Sequence, residues 1–517
     1  MMQAQRDPVD NPFGASRERF ERMCERLRGP EALAMTHSEV ETIVTTEGRE
    51  ILRQLFQDHV DLRGAHEQAA PHLSVVGEDG VDRPHHRDAT RELHTLVGEV
   101  TVPRIGYSQR GHGSRFPMDA ALNLPQDPYS LGVRHVVARV VASSSFDESV
   151  ELIELTTKTH VAKRQVERLA RAAAVDFSAF YTQYDAPEES DSSSLLILTA
   201  DAKGIVVRLE DLREATRKAA EARTSKLKTR MTKGEKKHAK RMAMVTAVYS
   251  VEPHFRSAED VLSDLAHETP PEKRKRPKAK DKRVWATIEE ESEQAIANLF
   301  DEGERRDPER RQRWVVVVDG NKDQLALIQR EADRRGITVT IVLDFIHVLQ
   351  YLWKASTAFH EETAAEREEW VLERMGEVLR GKAVDVAAGM RRSATLRSLS
   401  KKTRAPVDKC AGYLLKYKRH LRYDEYLRDG LPIASGVIEG ACRHLVKDRM
   451  DLSGAHWSLR GAEAILQLRA IKASGDFAEY WSFHEAQEYR RNHGDSYQGA
   501  VPLPNRPHSP PKLRVVK

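Results

Sequence analysis

The residues of this chain best suited to chemistry are carboxylates placed where apolar runs stop. Trp314–Val318 (WVVVV) is a short, continuous, β-branched run of the kind buried on both faces of a sheet, and it stops at Asp319-Gly320-Asn321. Ile337–Leu343 is a second such run and stops at Asp344, with His347 one helical turn further on. Leu195–Thr199 (LLILT) is a third, with Asp201 at its end. A fourth carboxylate, Glu439, lies far downstream in SGVIEG, where Ser435 and Gly436 open a helix. A lone carboxylate after a strand commonly caps the next helix. Several brought together repel one another unless a cation neutralises them, and oxygen donors select Mg2+ or Mn2+. Two such ions can activate a water or hydroxyl and stabilise the leaving oxygen of a phosphoryl transfer.

The elements that must hold these groups follow from the pattern around them. Asp323–Arg335 has helical periodicity and Gly336 closes it, so the segment from Trp314 to Leu343 is a strand–helix–strand unit with parallel strands. Upstream, Gly204 is expected to turn the Asp201 strand into a second strand, Ile205–Leu209, and Met244–Val251 is a third. Ala286–Phe300 reads as the helix leading into Trp314. The order β-β-β-α-β-α-β matches an RNase H-like α/β core, a mixed five-stranded sheet whose first three strands are antiparallel and whose last two are parallel. In that order the first and fourth strands are neighbours, which brings Asp201 to Asp319, and a helix across the sheet end brings Glu439. Asp344 competes with Asp319 as the second ligand. Strand order favours Asp319, and His347 suggests a hydrogen-bonded Asp344–His347 pair in support. Arg443 and Lys447 follow Glu439 at i, i+4 spacing and share its helix face. Between Asp344 and Leu431 the chain is helical (Val348–His360, Ala365–Arg380, Val407–Leu427), a large α-helical insertion.

Composition constrains the rest. The chain has 517 residues, 40% hydrophobic and 31% charged, with a net charge of +4. It lacks an apolar run long enough to span a bilayer, and its first residues lack the apolar core of a secretory signal. Cys24, Cys410 and Cys442 are far apart, which points to a reducing compartment and away from a cysteine-based zinc module. His85, His86, His94 and His112 surround the hairpin at loose spacing, which is commoner for surface histidines than for metal ligands. Positive charge is concentrated. Arg217–Arg241, including Lys226, Lys228, Arg230, Lys236 and Lys237, carries eleven Lys/Arg against two Glu, and Lys273–Arg283 carries eight against one Asp. Such runs are solvated faces or linkers, or they bind a polyanion. Near the N-terminus, Ser38–Leu62 reads as a long amphipathic helix capped by Ser38, and Leu96–Tyr107 as a β-hairpin. Val133–Ala142, Phe146–Leu155 (capped by Ser145) and Val161–Ala173 read as three helices, the last two joined by a turn at Thr156–His160. That is a helix-turn-helix, with Lys163, Arg164, Gln165 and Arg168 on the second helix available to DNA; the alternative is a plain helical hairpin.

Taken together, Asp319-Gly320, the Asp344-Phe345-Ile346-His347 box and Ser435-Gly436-Val437-Ile438-Glu439-Gly440 resemble bacterial insertion-sequence DDE transposases, nearest the ISKra type within the Mutator-like group. Arg449-Met450, Ser453-Gly454-Ala455-His456-Trp457, Gly461-Ala462 and Leu468-Arg469-Ala470 extend the resemblance, which covers residues 90–475. It implies a catalytic and metal-binding triad of Asp201, Asp319 and Glu439, supported by Gly320, Asp344 and His347, with Mg2+ or Mn2+ as two ions. It also implies double-stranded DNA as partner (terminal inverted repeats and target), a homo-oligomer in the DNA complex and a bacterial cytoplasmic, nucleoid-associated location. Many relatives carry cysteine pairs around the N-terminal hairpin, a zinc ribbon; this chain carries none. The alternatives are a catalytically silent DNA-binding descendant and a free-standing RNase H-like nuclease. The expected organisation is 1–125, N-terminal helix and hairpin; 126–185, helix-turn-helix; 190–350, first part of the core; 351–430, helical insertion; 431–475, Glu-bearing helices; and 476–517, a partly disordered tail.

Overall fold

The computed structural model describes residues 11–70, 74–184, 193–223, 229, 239–266, 276–361, 363–452 and 454–498. It divides into two compact units, residues 1–182 with 477–517, and residues 183–476.

In the first unit, α1 (Gly14–Arg28) packs along α2 (His37–Ala69). The cap of α2 is Thr36 rather than Ser38: Thr36 and Glu39 form a reciprocal capping box that sets the start two residues earlier. The hairpin is also larger than expected. β1 (His85–Thr95) pairs with β2 (Gly98–Ser108) across a tight turn at Leu96-Val97, so Leu96 is at the turn and not in a strand. Gly98 takes φ +118° there, and Thr95 Oγ1 donates to its carbonyl at 2.6 Å. Most of β1 is exposed and polar (HHRDATRELHT), which hides its alternation in the sequence. Leu93, Val100, Val102, Met118 and Leu124 form the small core beneath the hairpin.

Three helices follow as expected, α3 (Leu131–Val141), α4 (Phe146–Thr157) and α5 (Lys163–Ala173), all in mutual contact. Ser145 caps α4 through a box with Glu148. The turn between α4 and α5 has no glycine; Lys158 takes the left-handed conformation instead, at φ +56°. Residues expected to begin a tail instead form a helix, Phe477–Tyr489, which returns to this unit. Its Tyr480 hydroxyl donates to Ala173 O at 2.6 Å, and the buried His484 ring meets Asp176 at 2.7 Å. Phe477, Tyr480 and Trp481 bury this helix, so the apolar surface that holds it is its own.

The second unit is mixed α/β around a five-stranded mixed sheet. Its strands are β3 (Leu195–Val206), β4 (Lys240–Val251), β5 (Lys280–Thr287), β6 (Arg313–Val318) and β7 (Val339–Leu343), in spatial order β5-β4-β3-β6-β7. β3–β4 and β4–β5 are antiparallel, β3–β6 and β6–β7 parallel. The expected count and order hold, but two strands differ. Gly204 is no turn: β3 runs straight through Asp201 and Gly204, and Ile205–Leu209 is not a separate strand. β4 supplies a full-length antiparallel partner for that polar extension, as far as Val206↔Lys240. The remaining strand of the five is β5, which begins inside the second basic run and continues beyond it. Its exposed start, Lys280-Asp281-Lys282-Arg283, suits a sheet edge, and the register with β4 shifts between Val248 and Ser250. α6 is accordingly Ser292–Arg306, later than expected.

The strand–helix–strand unit is as read. α7 (Lys322–Arg335) lies between β6 and β7, and Gly336 closes it at φ +63°. The insertion contains α8 (Phe345–Ser356), α9 (Ala365–Leu379), α10 (Ala383–Leu396) and α11 (Lys401–Lys416), of which α10 was not expected. α12 (Gly436–Ala441) runs into a π-helical turn, Cys442–Lys447, and α13 (Leu459–Ser474) packs against β5.

One buried charge cluster clamps β5 to α6. Glu302 is 3% exposed and meets Arg283 of β5, Arg305 at 2.8 Å and Arg306 at 2.6 Å. Burial works to raise its carboxyl, and the three guanidiniums outweigh that, bringing it down to about 2. A depressed carboxylate contributes stability that is fully present above its unfolded value near 4.5 and lost as pH falls toward 2. The shift corresponds to about 3 kcal/mol. Glu302→Gln is therefore expected to lower urea stability by about that amount at pH 7, with the gap to the parent closing between pH 4.5 and pH 2. A gap independent of pH would show that the clamp is not electrostatic.

Candidate functional site

The candidate residues occupy the carboxyl end of the parallel pair β3–β6. Their register runs from Leu195↔Arg313 to Thr199↔Val317, and two more residues along each strand set Asp201 level with Asp319. Neighbouring strands lie about 4.8 Å apart, so the two backbones meet here. Asp201 does not end its strand. It stands inside β3 at the point where the neighbour β6 stops, which leaves it half-buried beside the open strand end.

Asp319 and Asp344 both follow strands, yet they do different things. Asp344 is 1% exposed and caps α8, with Oδ1 accepting from Ile346 N at 2.8 Å. Its Oδ2 accepts from Ser435 N at 3.2 Å and from the Ser435 hydroxyl. Both oxygens are thus engaged in structural hydrogen bonds, one of them to a residue 91 positions away. The cap of α7, in contrast, is Asn321, whose side chain accepts from Asp323 N and Gln324 N. Asp319 is left beside the strand end, with Oδ1 accepting from Asn321 N at 2.9 Å and Oδ2 facing His347 Nε2 at 3.9 Å. The expected Asp344–His347 side-chain pair is not among the contacts of the described residues. His347 instead turns to Asp319, and its Nδ1 is buried without a hydrogen-bond partner.

Gly320 is fixed by two constraints. Its φ is +89°, and a Cβ there would come within 2.9 Å of the Tyr413 hydroxyl. That hydroxyl, from α11, donates to Asp319 O at 3.1 Å. Tyr423 likewise donates to Leu343 O at 2.8 Å, so tyrosines of the insertion hold the strand-end carbonyls of both β6 and β7. Burial pushes both phenols well above their usual range, which keeps them as donors.

Glu439 lies exposed on α12, which packs against β3 and β4. The buried Cys442, at the start of the π-helical turn, donates from Sγ to Asp201 Oδ2 at 3.2 Å. Its thiol is pushed up by burial first and then by the charge of Asp201, with Glu439 adding to the rise. Past Cys442 the bonding is i→i+5, so the α-helical stacking expected from Glu439 to Arg443 and Lys447 is not kept. Arg443 pairs with Asp448 at 3.7 Å, and Lys447 is exposed. Tyr413 and Cys442 carry no site signal in the sequence, and Ser435 is legible there only as the opener of the Glu439 helix. Cys442 stands three residues beyond Glu439, and the bonds that Ser435 and Cys442 make to Asp344 and Asp201 are tertiary contacts.

Chemically, three carboxylates with a neighbouring His suit a hard divalent cation. As placed, no group of three or more His, Cys, Asp or Glu side chains among the described residues is gathered closely enough to hold one. Local hydrogen bonds account for this. Asp201 Oδ1 accepts from its neighbour Ala202 N at 2.6 Å and Oδ2 from Cys442, while Asp319 is bonded to Asn321 N. The backbones converge, and the side chains point to local partners.

No protein-family model matches the chain, and no curated protein matches it in sequence.

The expected DNA-reading residues are partly committed within their own unit. Lys163 pairs with Asp147 at 2.8 Å and Arg168 with Asp127 at 3.4 Å. Gln165 is half-buried with an unpartnered Oε1, and Arg164 is exposed. Lys226, Lys228, Arg230, Lys236 and Lys237 lie outside the described residues. In the second basic run, Arg276 pairs with Asp264, Lys280 with Glu252 and Arg283 with Glu302, so this part is largely neutralised internally.

The division of labour between the aspartates yields a direct test. Asp344→Ala strips the acceptor from Ser435 and Ile346 at a buried site and is expected to cost about 3 kcal/mol. Asp201→Asn and Asp319→Asn keep an acceptor oxygen for Ala202 and Asn321 and are expected to stay within about 1 kcal/mol of the parent. Urea unfolding of the three variants checks this. Equal losses would mean that Asp319 is as structural as Asp344.

Proposed function

We propose that this chain is an insertion-sequence DNA transposase of the DDE type, with an RNase H-like catalytic core, an α-helical insertion between its second and third acidic residues, and a helix-turn-helix that binds terminal inverted repeats. The observation that carries the reading is the strand order β5-β4-β3-β6-β7, which sets Asp201 level with Asp319, while Asp344 ties the chain before Glu439 to the same end of the sheet. That Asn321, not Asp319, caps α7 supports a role for Asp319 beyond local structure.

In this reading Asp201, Asp319 and Glu439 hold Mg2+ or Mn2+, as two ions, which when bound supply Lewis-acid activation of a water or 3′-hydroxyl and charge relief at the leaving oxygen. To serve, Asp201 must give up Cys442 or Ala202, and Glu439 must turn from its exposed position toward the two aspartates. His347 stands beside Asp319, its Nε2 3.9 Å from Oδ2. Tyr413 holds the Asp319 backbone in place. Reading and cutting belong to different units. The protein acts on double-stranded DNA as a homo-oligomer in the bacterial cytoplasm, first cleaving the element ends and then joining their 3′-hydroxyls to target DNA.

Asp201→Asn, Asp319→Asn and Glu439→Gln are each expected to abolish Mg2+-dependent cleavage of DNA carrying the inverted repeats that flank the gene, and to leave binding of those repeats nearly intact. Chelation by EDTA has the same expected effect on the parent. Full cleavage by any one variant removes that residue from the triad, and a parent that never cuts flanking repeats in Mg2+ or Mn2+ ends the reading.

Replacing Lys163, Arg164 and Gln165 together with Ala is expected to reduce preference for the repeats over random DNA by roughly 1–3 kcal/mol for each base edge no longer read. Nicking of a non-specific, pre-melted substrate should survive. Competition binding that finds the preference undiminished would return α5 to a plain helical hairpin.

A further inference from the structure

The second half of the insertion is the most one-sidedly charged part of the described chain. From Arg391 to Arg422 there are eleven Lys or Arg and one acid, Asp408. That acid is already shared by Arg391 and Arg404, at 3.6 and 3.1 Å. On α11, Lys402, Lys409 and Lys416 recur every seven residues, two turns apart, and all three are exposed. Ala405 and Gly412 fall between them, and nothing lies within 4 Å of where a Gly412 Cβ would be, so this stripe is open. No carboxylate among the described residues is paired with any of these lysines.

The stripe adjoins the candidate site through aromatic rings. Tyr413 of α11 bonds Asp319 O and stacks on Tyr351 of α8, with ring centroids 4.3 Å apart. It also meets Tyr417 edge-on at 4.9 Å. Each outer ring carries a lysine: Lys354 Nζ lies 5.6 Å from the Tyr351 centroid, and Lys416 Nζ lies 4.5 Å from that of Tyr417. Lys354 is exposed and follows His347 and Tyr351 at helical spacing, on the same face of α8. The run His347–Tyr351–Lys354 thus leads away from Asp319 along α8, and Tyr351 joins it to α11 through Tyr413. Long cationic side chains pinned by rigid aromatic rings lose less freedom on gripping a phosphate than free ones do.

We propose that Lys354, Lys402, Lys409 and Lys416 form a wall that binds the sugar-phosphate backbone of duplex DNA beside Asp319. This rests on the transposase reading and adds to it a hold on DNA made by the insertion. The chemistry recognised is a regular row of phosphates, without base readout, so binding by this wall is insensitive to sequence and steep in salt.

The test uses the full chain, a fluorescent random-sequence duplex and anisotropy over a range of KCl concentrations. For the fourfold Lys→Gln variant, the log–log slope is expected to flatten by about 0.9 for each phosphate no longer neutralised, up to about 3.6 in all. The fourfold Lys→Arg variant should keep the parent slope, because charge and not packing is at issue. If the parent binds and the Gln variant keeps its slope, the wall is a solvated face and only this inference falls. If the Gln and Arg variants both flatten the slope, packing is responsible and the inference also falls. A parent that binds no duplex at any salt concentration removes the transposase reading together with it.

Discussion

The second unit depends on one buried carboxylate. Asp344 accepts from Ile346 N, which starts the first helix of the insertion, and from Ser435 N and its hydroxyl, which stand just before the Glu439 helix. The two ends of a 91-residue separation are joined at a single side chain that is almost wholly out of water. A buried carboxyl with both oxygens satisfied is stable there, whereas one with a partner removed leaves an acceptor or a donor unpaired at considerable cost. Closing so long a loop costs only slowly more as the loop grows, so its contents can be large provided its ends are fixed. Without this junction, the return of Glu439 to the end of the sheet where Asp201 and Asp319 stand would rest on the packing of α12 against β3 and β4 and on the Cys442 bond to Asp201.

The tyrosines of the insertion extend that dependence in the opposite direction. Tyr413 and Tyr423 each donate a hydroxyl to a strand-end carbonyl, one at Asp319 and one at Leu343. The insertion is therefore fastened to the backbone of the acidic end, not merely packed near it. Gly320 records the closeness of that fit, since it combines a positive φ with no room for a side chain under Tyr413. Displacement of α11 would be felt at Asp319 through one hydrogen bond.

What can be read from the sequence follows burial. β6, α7 and β7 are apolar, periodic and closed by Gly336, and the expected boundaries differ from the observed ones by only a residue or two. β1 and β5 escape a reading by pattern because both are mostly exposed along part of their length and carry polar or charged residues there. The run-on of β3 through Gly204 escapes it too, because its second half is polar and only pairing with β4 keeps it extended. Two aspartates that look alike in sequence, each following a β-branched run, are separated by their surroundings. Asn321 two residues after Asp319 takes over the cap, and Ser435, ninety-one residues after Asp344, takes up the other. The first difference is local and legible in Asp319-Gly320-Asn321. The second is a tertiary contact that no local pattern carries.

The borders of the sheet have a consequence for crowding in the cell. On one side, β5 begins with Lys280-Asp281-Lys282-Arg283, Asp281 takes φ +48°, and the ladder to β4 is interrupted between Val248 and Ser250. On the other, the Tyr426 hydroxyl lies 3.4 Å from Ile341 O of β7, so the insertion overhangs that strand. Neither border offers a flat row of free amides and carbonyls to a stranger. A sheet built on several β-branched apolar runs thus meets its surroundings at borders that are charged, out of register or overhung, which disfavours edge-to-edge addition of a second sheet.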